Sequence, residues 1–472
     1  MSLSTRAALL IALALGACTT VGPNFERPAA PATPGYAMAG DATTSLVQAG
    51  PDAVSAGPWW RALGSSQLDQ VMTTALSDNQ TLAAADADLQ KAMAQAQSVK
   101  GSLGPQMEAT AGAQRERINT QVFGIKGFPS PKINLFSIGA NVVYDLDIFG
   151  KGRRQLEEAQ AVSEAQARRA DAAYLTLTGQ VALQAVTIAG LRAEIATLGA
   201  IAADDQANIA IIHRAQAAGG EAPSATSVGE AQLQADRALI PPLEQRLAQA
   251  RHALALLVGR APAEWTAPAF AFDDFSPPAT IPLSLPSSLI HHRPDILAAE
   301  ADLHAAVAAV GVAQANLYPD VRLTAALTQE ALTPTALFSP SSAAYNFGAG
   351  LTAPLFNNRA LRADRRAAQA QAKASLARYR QTVLTAFGQV SDVLSALAQD
   401  DDRIAALSEA QRSDEAGLAD ARTAYRLGGG NLLAVTVAQR QLDRARLDLI
   451  GARGQRLSDI VELFAATATD WR

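Results

Sequence analysis

The sequence predicts a chain of long, closely packed helices that also carries two pairs of strands, with this plan written twice. Three observations lead there. Apolar residues make up 49% of the 472 positions but aromatic ones only 5%, and a supply of small side chains lets helix axes approach closely. Proline is missing between Gly152 and Pro223, and again from Phe356 to the C-terminus, lengths that ordinary globular helices do not reach. The third observation is internal similarity. "TLAAADADLQKAMAQAQSVKGSLGPQMEATA" at 81–111 runs without gaps against "ILAAEADLHAAVAAVGVAQANLYPDVRLTAA" from residue 296, shifted so that Asp88 falls on Asp302, Leu89 on Leu303, Pro105 on Pro319 and Thr110 on Thr324.

Taken in order, the chain starts with a positive residue, Arg6, an apolar run from Ala7 to Leu15 and the small pair Gly16-Ala17. Residues 1–17 read as a secretory signal, too short to remain as a membrane-spanning helix. Its end, Leu15-Gly16-Ala17-Cys18, resembles the lipobox of bacterial lipoproteins, and the resemblance implies a diacylglycerol on the sulfur of Cys18. The alternative is an ordinary signal peptide that ends near a cysteine. Cys18 is the only cysteine, so lipidation would leave the mature chain without a thiol. In lipoproteins an aspartate after the cysteine marks inner-membrane retention; Thr19 stands there instead, which by that analogy points to the outer membrane.

Residues 18–58 are rich in Pro, Ala and Gly without hydrophobic periodicity, the pattern of an extended tether, and Trp59-Trp60 are expected to dock it. A first repeat then covers 59–261, a proline-rich strap 262–286, and a second repeat 287–472. Each repeat reads as helix, strand pair, very long helix, glycine turn and returning helix. Val181, Ile188, Leu191, Ile195, Leu198, Ala202, Ile209 and Ile212 form a heptad seam, interrupted at Gln184 and Asp205. A helix of about 65 residues is on the order of 100 Å long, more than a globular core can bury, so it must pack against similar helices.

The strands are "QMEATAGAQRERI", "NLFSIGANVVYDLDIF", "DVRLTAALTQEAL" and "AAYNFGAGLTAPLF". Phe136, Ile138, Val142 and Tyr144 share one parity. Strands of this length either cross an outer membrane or edge a soluble sheet, and periodicity does not separate the two. If they cross, Phe123, Phe128, Phe338 and Tyr345 in the intervening loops are candidates for an aromatic girdle. Four strands are then too few to close, and a barrel must be shared between chains.

A net charge of −5 gives no basic surface for a polyphosphate, which disfavours nucleic acid as a partner. The five histidines make no HExxH or cysteine-paired site, and Gly150-Lys151-Gly152 lacks phosphate-loop spacing. Arg293-Pro294-Asp295 reads as a helix start. No catalytic constellation and no metal site emerge, and no cofactor is called for beyond a covalent lipid on Cys18.

Five segments together resemble the outer-membrane factor family, in its lipoprotein branch of RND-type efflux systems: "CTTVGPNFERP" (18–28), "WW" (59–60), "YDLDIFGKGRR" (144–154), "LPSSLIHHRPDILAAEADLHAAVAAVGVAQANLYPDVRL" (285–323) and "GAGLTAPLFNNRALRADRRAAQA" (348–370). The resemblance implies a homotrimer whose chains give four strands each to a twelve-stranded transmembrane β-barrel and their long helices to a periplasmic α-helical barrel. It implies a passive efflux duct in the outer membrane, without enzymatic activity, that exports small molecules with a periplasmic adaptor and an inner-membrane RND-type pump. Metal efflux and type I secretion use the same frame, and an adaptor lipoprotein is the alternative outside it. The implied periplasmic tips are Gly219, Gly220 and Glu221 in one repeat and Gly428, Gly429, Gly430, Asn431 and Leu432 in the other. Family members narrow the pore behind these tips with acidic rings, yet "NLLAVTVAQR" after the second turn has no carboxylate. Glu221, with Glu230 behind it, is the candidate substitute, and closure by Leu432 and Leu433 is the rival.

Overall fold

The computed structural model describes residues 20–29, 33, 35–41, 44, 46–49, 58–119, 124, 130–283 and 286–467. In chain order these form β1 (Val47–Ala49), a short turn of 3₁₀ helix (Trp59–Leu63), α1 (Ser66–Asp78), α2 (Gln80–Ser102), β2 (Gln106–Arg117), β3 (Lys132–Leu146), α3 (Lys151–Ala217), α4 (Pro223–Arg237) and α5 (Ile240–Leu257). The second half follows with β4 (Ile281–Leu283), α6 (Pro286–His292), α7 (Pro294–Ala315), β5 (Asp320–Ala331), β6 (Ala343–Thr352), α8 (Asn358–Arg426) and α9 (Leu432–Thr467). Strands β2 and β5 begin at 106 and 320 and end at 117 and 331, the same offset that sets Asp88 on Asp302. The repeat is therefore structural as well as sequential. Helices α3 and α8, of 67 and 69 residues, are each on the order of 100 Å long.

The returning helix of the first repeat departs from expectation by breaking between Arg237 and Ile240. Pro241 and Pro242 have no N–H to donate, so they are accommodated in the first turn of a new helix. The return of the second repeat has no proline and runs unbroken as α9.

The chain divides into two compact units that cut across the repeats. The first takes the N-terminal residues to Pro28, Asp88–Ala167 and Ala298–Arg380. Its centre is an antiparallel sheet in the order β2-β3-β5-β6. All four junctions with helices lie at one end of this sheet, where Leu146 pairs with Val321, and both strand-to-strand connections lie at the other.

The second unit takes Ala29–Ala87, Arg168–Leu297 and Gln381–Arg472. Val181, Ala185, Ile188 and Leu191 of α3 enter its core with Leu397 of α8 and Ile460, Val461 and Phe464 of α9. Trp59 and Trp60 dock there as expected. Trp59 is 1% exposed, stacks on Phe464 at 5.5 Å and donates its indole N–H to Thr178 Oγ1 at 3.3 Å, while Trp60 donates to Asp69 Oδ1 at 2.9 Å. The strap joins the unit through a parallel pairing of β4 with β1. Arg293, 8% exposed, donates to the carbonyl of Ala466 at 2.9 Å and to Gln389 and Asp295, which explains its place before Pro294 as a helix-end clamp.

By length and composition α3 and α7 each contain a window apolar enough to cross a bilayer, but 44% and 50% of those windows are buried inside the protein. About half of each window is thus packed against the rest of the chain. Replacing the buried indole in Trp59→Ala should lower unfolding stability by about 3–5 kcal/mol, read as a fall in the denaturant midpoint of the helical signal; an unchanged midpoint would refute this account of the core.

Candidate functional site

The register of the four-stranded sheet sorts its residues onto two unlike faces. On one face lie Met107, Ala109 and Ala111 of β2, Phe136, Ile138, Val142 and Tyr144 of β3, Leu323 and Leu327 of β5, and Tyr345, Phe347 and Leu351 of β6. Many of these are large and exposed: Met107 76%, Tyr345 77%, Phe347 77%, Leu351 69%. On the other face lie Glu108, Thr110 and Gln114, then Ser137, Asn141 and Asp145, then Arg322, Thr324 and Thr328, and Asn346. Arg322 donates to Asp145 across that face at 2.6 Å. From Phe136 to Leu146 the apolar rows extend about 34 Å along the strand, or about 25 Å after a barrel tilt near 40°. Beyond Phe136 the same face turns polar, with Asn134 and Lys132 on β3 and Arg115 and Arg117 on β2. A sheet with one face suited to lipid and one to water, of bilayer height, is a piece of barrel wall. Among the described residues its outer strands β2 and β6 each pair on one side only, and the alternation of directions makes the free edge of β6 antiparallel to the free edge of β2.

The two glycine turns share one geometry. Gly219 and Gly428 have φ of 78° and 76°, a region that costs glycine nothing. Gly220 N–H then bonds back to Ala215 O, and Gly429 N–H to Ala424 O, both at 2.9 Å, the Schellman closure of a helix end. Pro223 opens α4. Asn431 caps α9, its Oδ1 accepting from Ala434 N–H at 2.9 Å. Glu221 is half-buried and accepts from the Tyr425 hydroxyl at 3.4 Å, tying the first turn to the end of α8. Arg422 of α8 donates to Gln439 of α9 at 2.8 Å. Leu432 is half-buried, Leu433 is 69% exposed, and Glu230 lies on the surface.

Two groups of buried carboxylates sit behind these turns. Asp205 of α3, 8% exposed, faces Asp236 of α4 and Asp443 of α9, and one of its oxygens has no partner. Burial, with a hydrogen bond shared with Asp236 and the charges of Asp236 and Asp443, pushes the Asp205 carboxyl up to about 7 against the pull of Arg440. Asp400 of α8 stands likewise against Asp459 of α9, pushed up to about 7 by burial and by the shared hydrogen bond. Among the described residues no group of histidine, aspartate and glutamate is arranged to hold a metal; His292 Nδ1 is 2.8 Å from the carbonyl oxygen of Ser288 in its own helix.

A family model described as outer membrane efflux protein matches residues 71–260 and 285–469. The chain belongs to the outer membrane efflux protein family. It is 32% identical over 484 residues to the pyoverdine export outer membrane protein OpmQ of Pseudomonas aeruginosa, covering 100% of this chain and 98% of that protein. It is 28% identical over 471 residues to the cation efflux system protein CusC of Escherichia coli, covering 98% of each. Among solved structures it matches the outer-membrane channel OprN with a TM-score of 0.86 at 26% identity, covering 96% of this chain and all of the other. The family is one of transport channels, and the chain has the fold of an outer-membrane efflux channel.

Several expectations are adjusted by the structure. Tyr345 belongs to β6 and not to a loop, because it pairs with Leu327 on the apolar face. Phe338 does lie in the β5–β6 connection, 76% exposed, while Phe123, Phe128 and Cys18 fall outside the described residues. Near the two turns the structure also places Tyr425, Asp236 and Asp443, which went unnoticed in the sequence, and Asp205, noted there only as a break in the heptad seam. Asp205 had a signal there: it breaks the heptad seam, which only a polar residue with partners on neighbouring helices can do at modest cost.

The raised carboxyls fix a pH dependence. A folded-state value above that of the unfolded chain means the folded protein holds the extra proton between about pH 4 and about pH 7, so stability declines as pH rises through that window and is flat above it. Asp400→Asn, which keeps a hydrogen-bonding group without the charge, should flatten the decline measured by thermal unfolding across that range. A slope equal to that of the parent protein would show that Asp400 is not protonated there.

Proposed function

We propose that three copies of this chain form a passive outer-membrane duct that releases small molecules from the periplasm, driven by an inner-membrane pump of RND type through a periplasmic adaptor. The observation that carries this is the sheet: four strands with a lipid-type face, a water-type face and two outer edges that run antiparallel to each other. Joined edge to edge in a ring, each sheet satisfies its neighbour's backbone, and the polar face, with Glu108, Asp145, Arg322 and Glu330, lines the lumen. Three copies give twelve strands, above the minimum of about eight for a closed barrel. The long helices α3 and α8 then surround a periplasmic tunnel. Residues 1–17 act as the signal peptide, Cys18 carries the lipid that starts the tether 18–58, and the repeats 59–261 and 287–472 flank the strap 262–286. No cofactor takes part.

Small organic molecules fit this reading better than a soft metal cation. Met72 is buried in the core at 0% exposure and Met107 lies on the lipid face, so neither of these thioethers marks a path along the lumen. OpmQ is named for pyoverdine export and CusC for cation efflux, and the chain matches both over nearly its full length.

The gate lies at the tips. Glu221, repeated around the axis, supplies negative charge at the entrance, and its bond to Tyr425 holds the first turn against α8. Glu221→Gln retains an acceptor but removes the charge, so single-channel recordings in planar bilayers should show reduced cation preference; unchanged preference would reject the acidic ring. Tyr425→Phe removes the bond and should raise conductance of the closed state severalfold, whereas closure by Leu432 predicts no change in Tyr425→Phe and a rise in Leu432→Ser.

A further inference from the structure

The lipid-type face of the sheet changes character abruptly at the end away from the helices. Arg117 of β2 stands directly opposite Lys132 of β3 on that face, and Arg115, two residues nearer the apolar rows, stands opposite Asn134. The next pair on the same face is Ala113 with Phe136, where the apolar rows begin. Arg115, Arg117, Lys132 and Asn134 are all exposed. Residues 132–135 of β3 pair with β2 alone, because the last partner of β3 in β5 is Ala331, opposite Phe136. The cations therefore sit on a hairpin end that extends past β5.

Like charges directly opposite one another in a sheet repel, and nothing on this face offsets them. Glu116 pairs with Ile133 and Glu330 with Ser137, which puts both carboxylates on the polar face. The sequence that joins the two strands, 118–131, adds Lys126 and contains no Asp or Glu. Among the described residues no carboxylate pairs with Arg115, Arg117 or Lys132. Such a cluster is stabilised by an anion from outside the chain, most strongly by one that accepts charge-assisted hydrogen bonds from the guanidinium forks.

Depth identifies the anion. All helix junctions lie at the opposite end of the sheet, the periplasmic end in an outer-membrane efflux channel, so the cations face the outer leaflet. With a barrel tilt near 40°, Arg115 lies about 5 Å beyond the level of Phe136 and Lys132 about 10 Å beyond it. The polar layer of a bilayer is about 5–8 Å thick on each side, so these side chains reach the depth of lipid phosphates. A free phosphate would meet the charge but would have nothing to set against Phe136, Ile138 and Ala111 below. A phosphate carried on acyl chains meets both, and three cations balance more than one phosphate.

We propose that the outer end of the β2–β3 hairpin is a binding site for a diphosphorylated, acylated glycolipid of the outer leaflet. Arg115 and Arg117 grip its phosphates, Lys132 adds a third positive charge, and the acyl chains lie along the apolar rows beneath. The site rests on the sheet standing in the outer membrane with its helices in the periplasm.

The test uses the full-length protein, extracted in detergent, washed free of native lipid and titrated with diphosphoryl lipid A, with bound lipid counted by native mass spectrometry. The parent protein should bind lipid A, and the combined variant Arg115→Gln, Arg117→Gln and Lys132→Gln should bind it about ten-fold or more weakly. These side chains are exposed, so the variant should keep its fold; its oligomer mass in the same spectra checks this and tests the trimeric duct independently of lipid. Arg412→Gln, on an exposed turn of α8, removes a positive charge elsewhere and should leave binding unchanged. Equal binding by the triple variant would overturn the site. Displacement of lipid A by inorganic phosphate at equal concentration would overturn the lipid assignment in favour of a free anion. Equal affinity for phosphatidylglycerol, which has one phosphate, would overturn the diphosphorylated headgroup.

Discussion

A backbone N–H or C=O left without a partner in lipid costs several kcal/mol, and this chain ends its sheet on two such rows, along β2 and β6. Everything else in the molecule is arranged around meeting that requirement from outside. The edges run in opposite senses, so identical copies close head to tail in a ring with no further element. The apolar face, with Phe136, Tyr144, Tyr345 and Phe347, has no core to enter and is matched to hydrocarbon; the opposite face carries the Arg322–Asp145 pair, which requires water or a polar lumen. A soluble sheet would bury the first face against helices, and in the first unit it stays exposed.

The helices answer to a different constraint. At about 100 Å each, α3 and α8 cannot be covered by one chain, and their alanine content permits close contact with neighbours of the same kind. Within the second unit their seams are sealed by Val181, Ile188 and Leu397 against α9. The exceptions are polar and deliberate in position: Asp205 and Asp400 each meet a second carboxyl on an adjacent helix. Burial and the neighbouring carboxyl push both Asp205 and Asp400 up to about 7.

Much of this was legible in the sequence, for reasons that can be stated residue by residue. The absence of proline marked α3 and α8, and the match of Pro105 with Pro319 marked the starts of β2 and β5 to the residue. Shared parity of Phe136, Ile138, Val142 and Tyr144 marked one apolar face without saying whether lipid or a soluble core covers it, and only the register across strands shows that Leu327 and Tyr345 complete that face. The two helix-ending turns were read from glycine alone, because a left-handed helix end calls for it. Partners distant in sequence were not legible: Tyr425 is 204 residues from Glu221, and Arg154 is 130 from Asn24. The break before α5 was announced by Pro241-Pro242 and went unread, since the repeat suggested an unbroken return like α9.

The central claim is that the two free strand edges are satisfied by other copies of the same chain. Native mass spectrometry of the detergent-extracted protein, with the acylated N-terminus counted in the mass, tests it most directly. The account predicts one dominant species at three times the mass of the mature chain, giving twelve strands. A monomer that remains folded would contradict it, because its outer strand edges would then need no second copy; a dimer would keep the edge pairing but overturn the twelve-stranded duct.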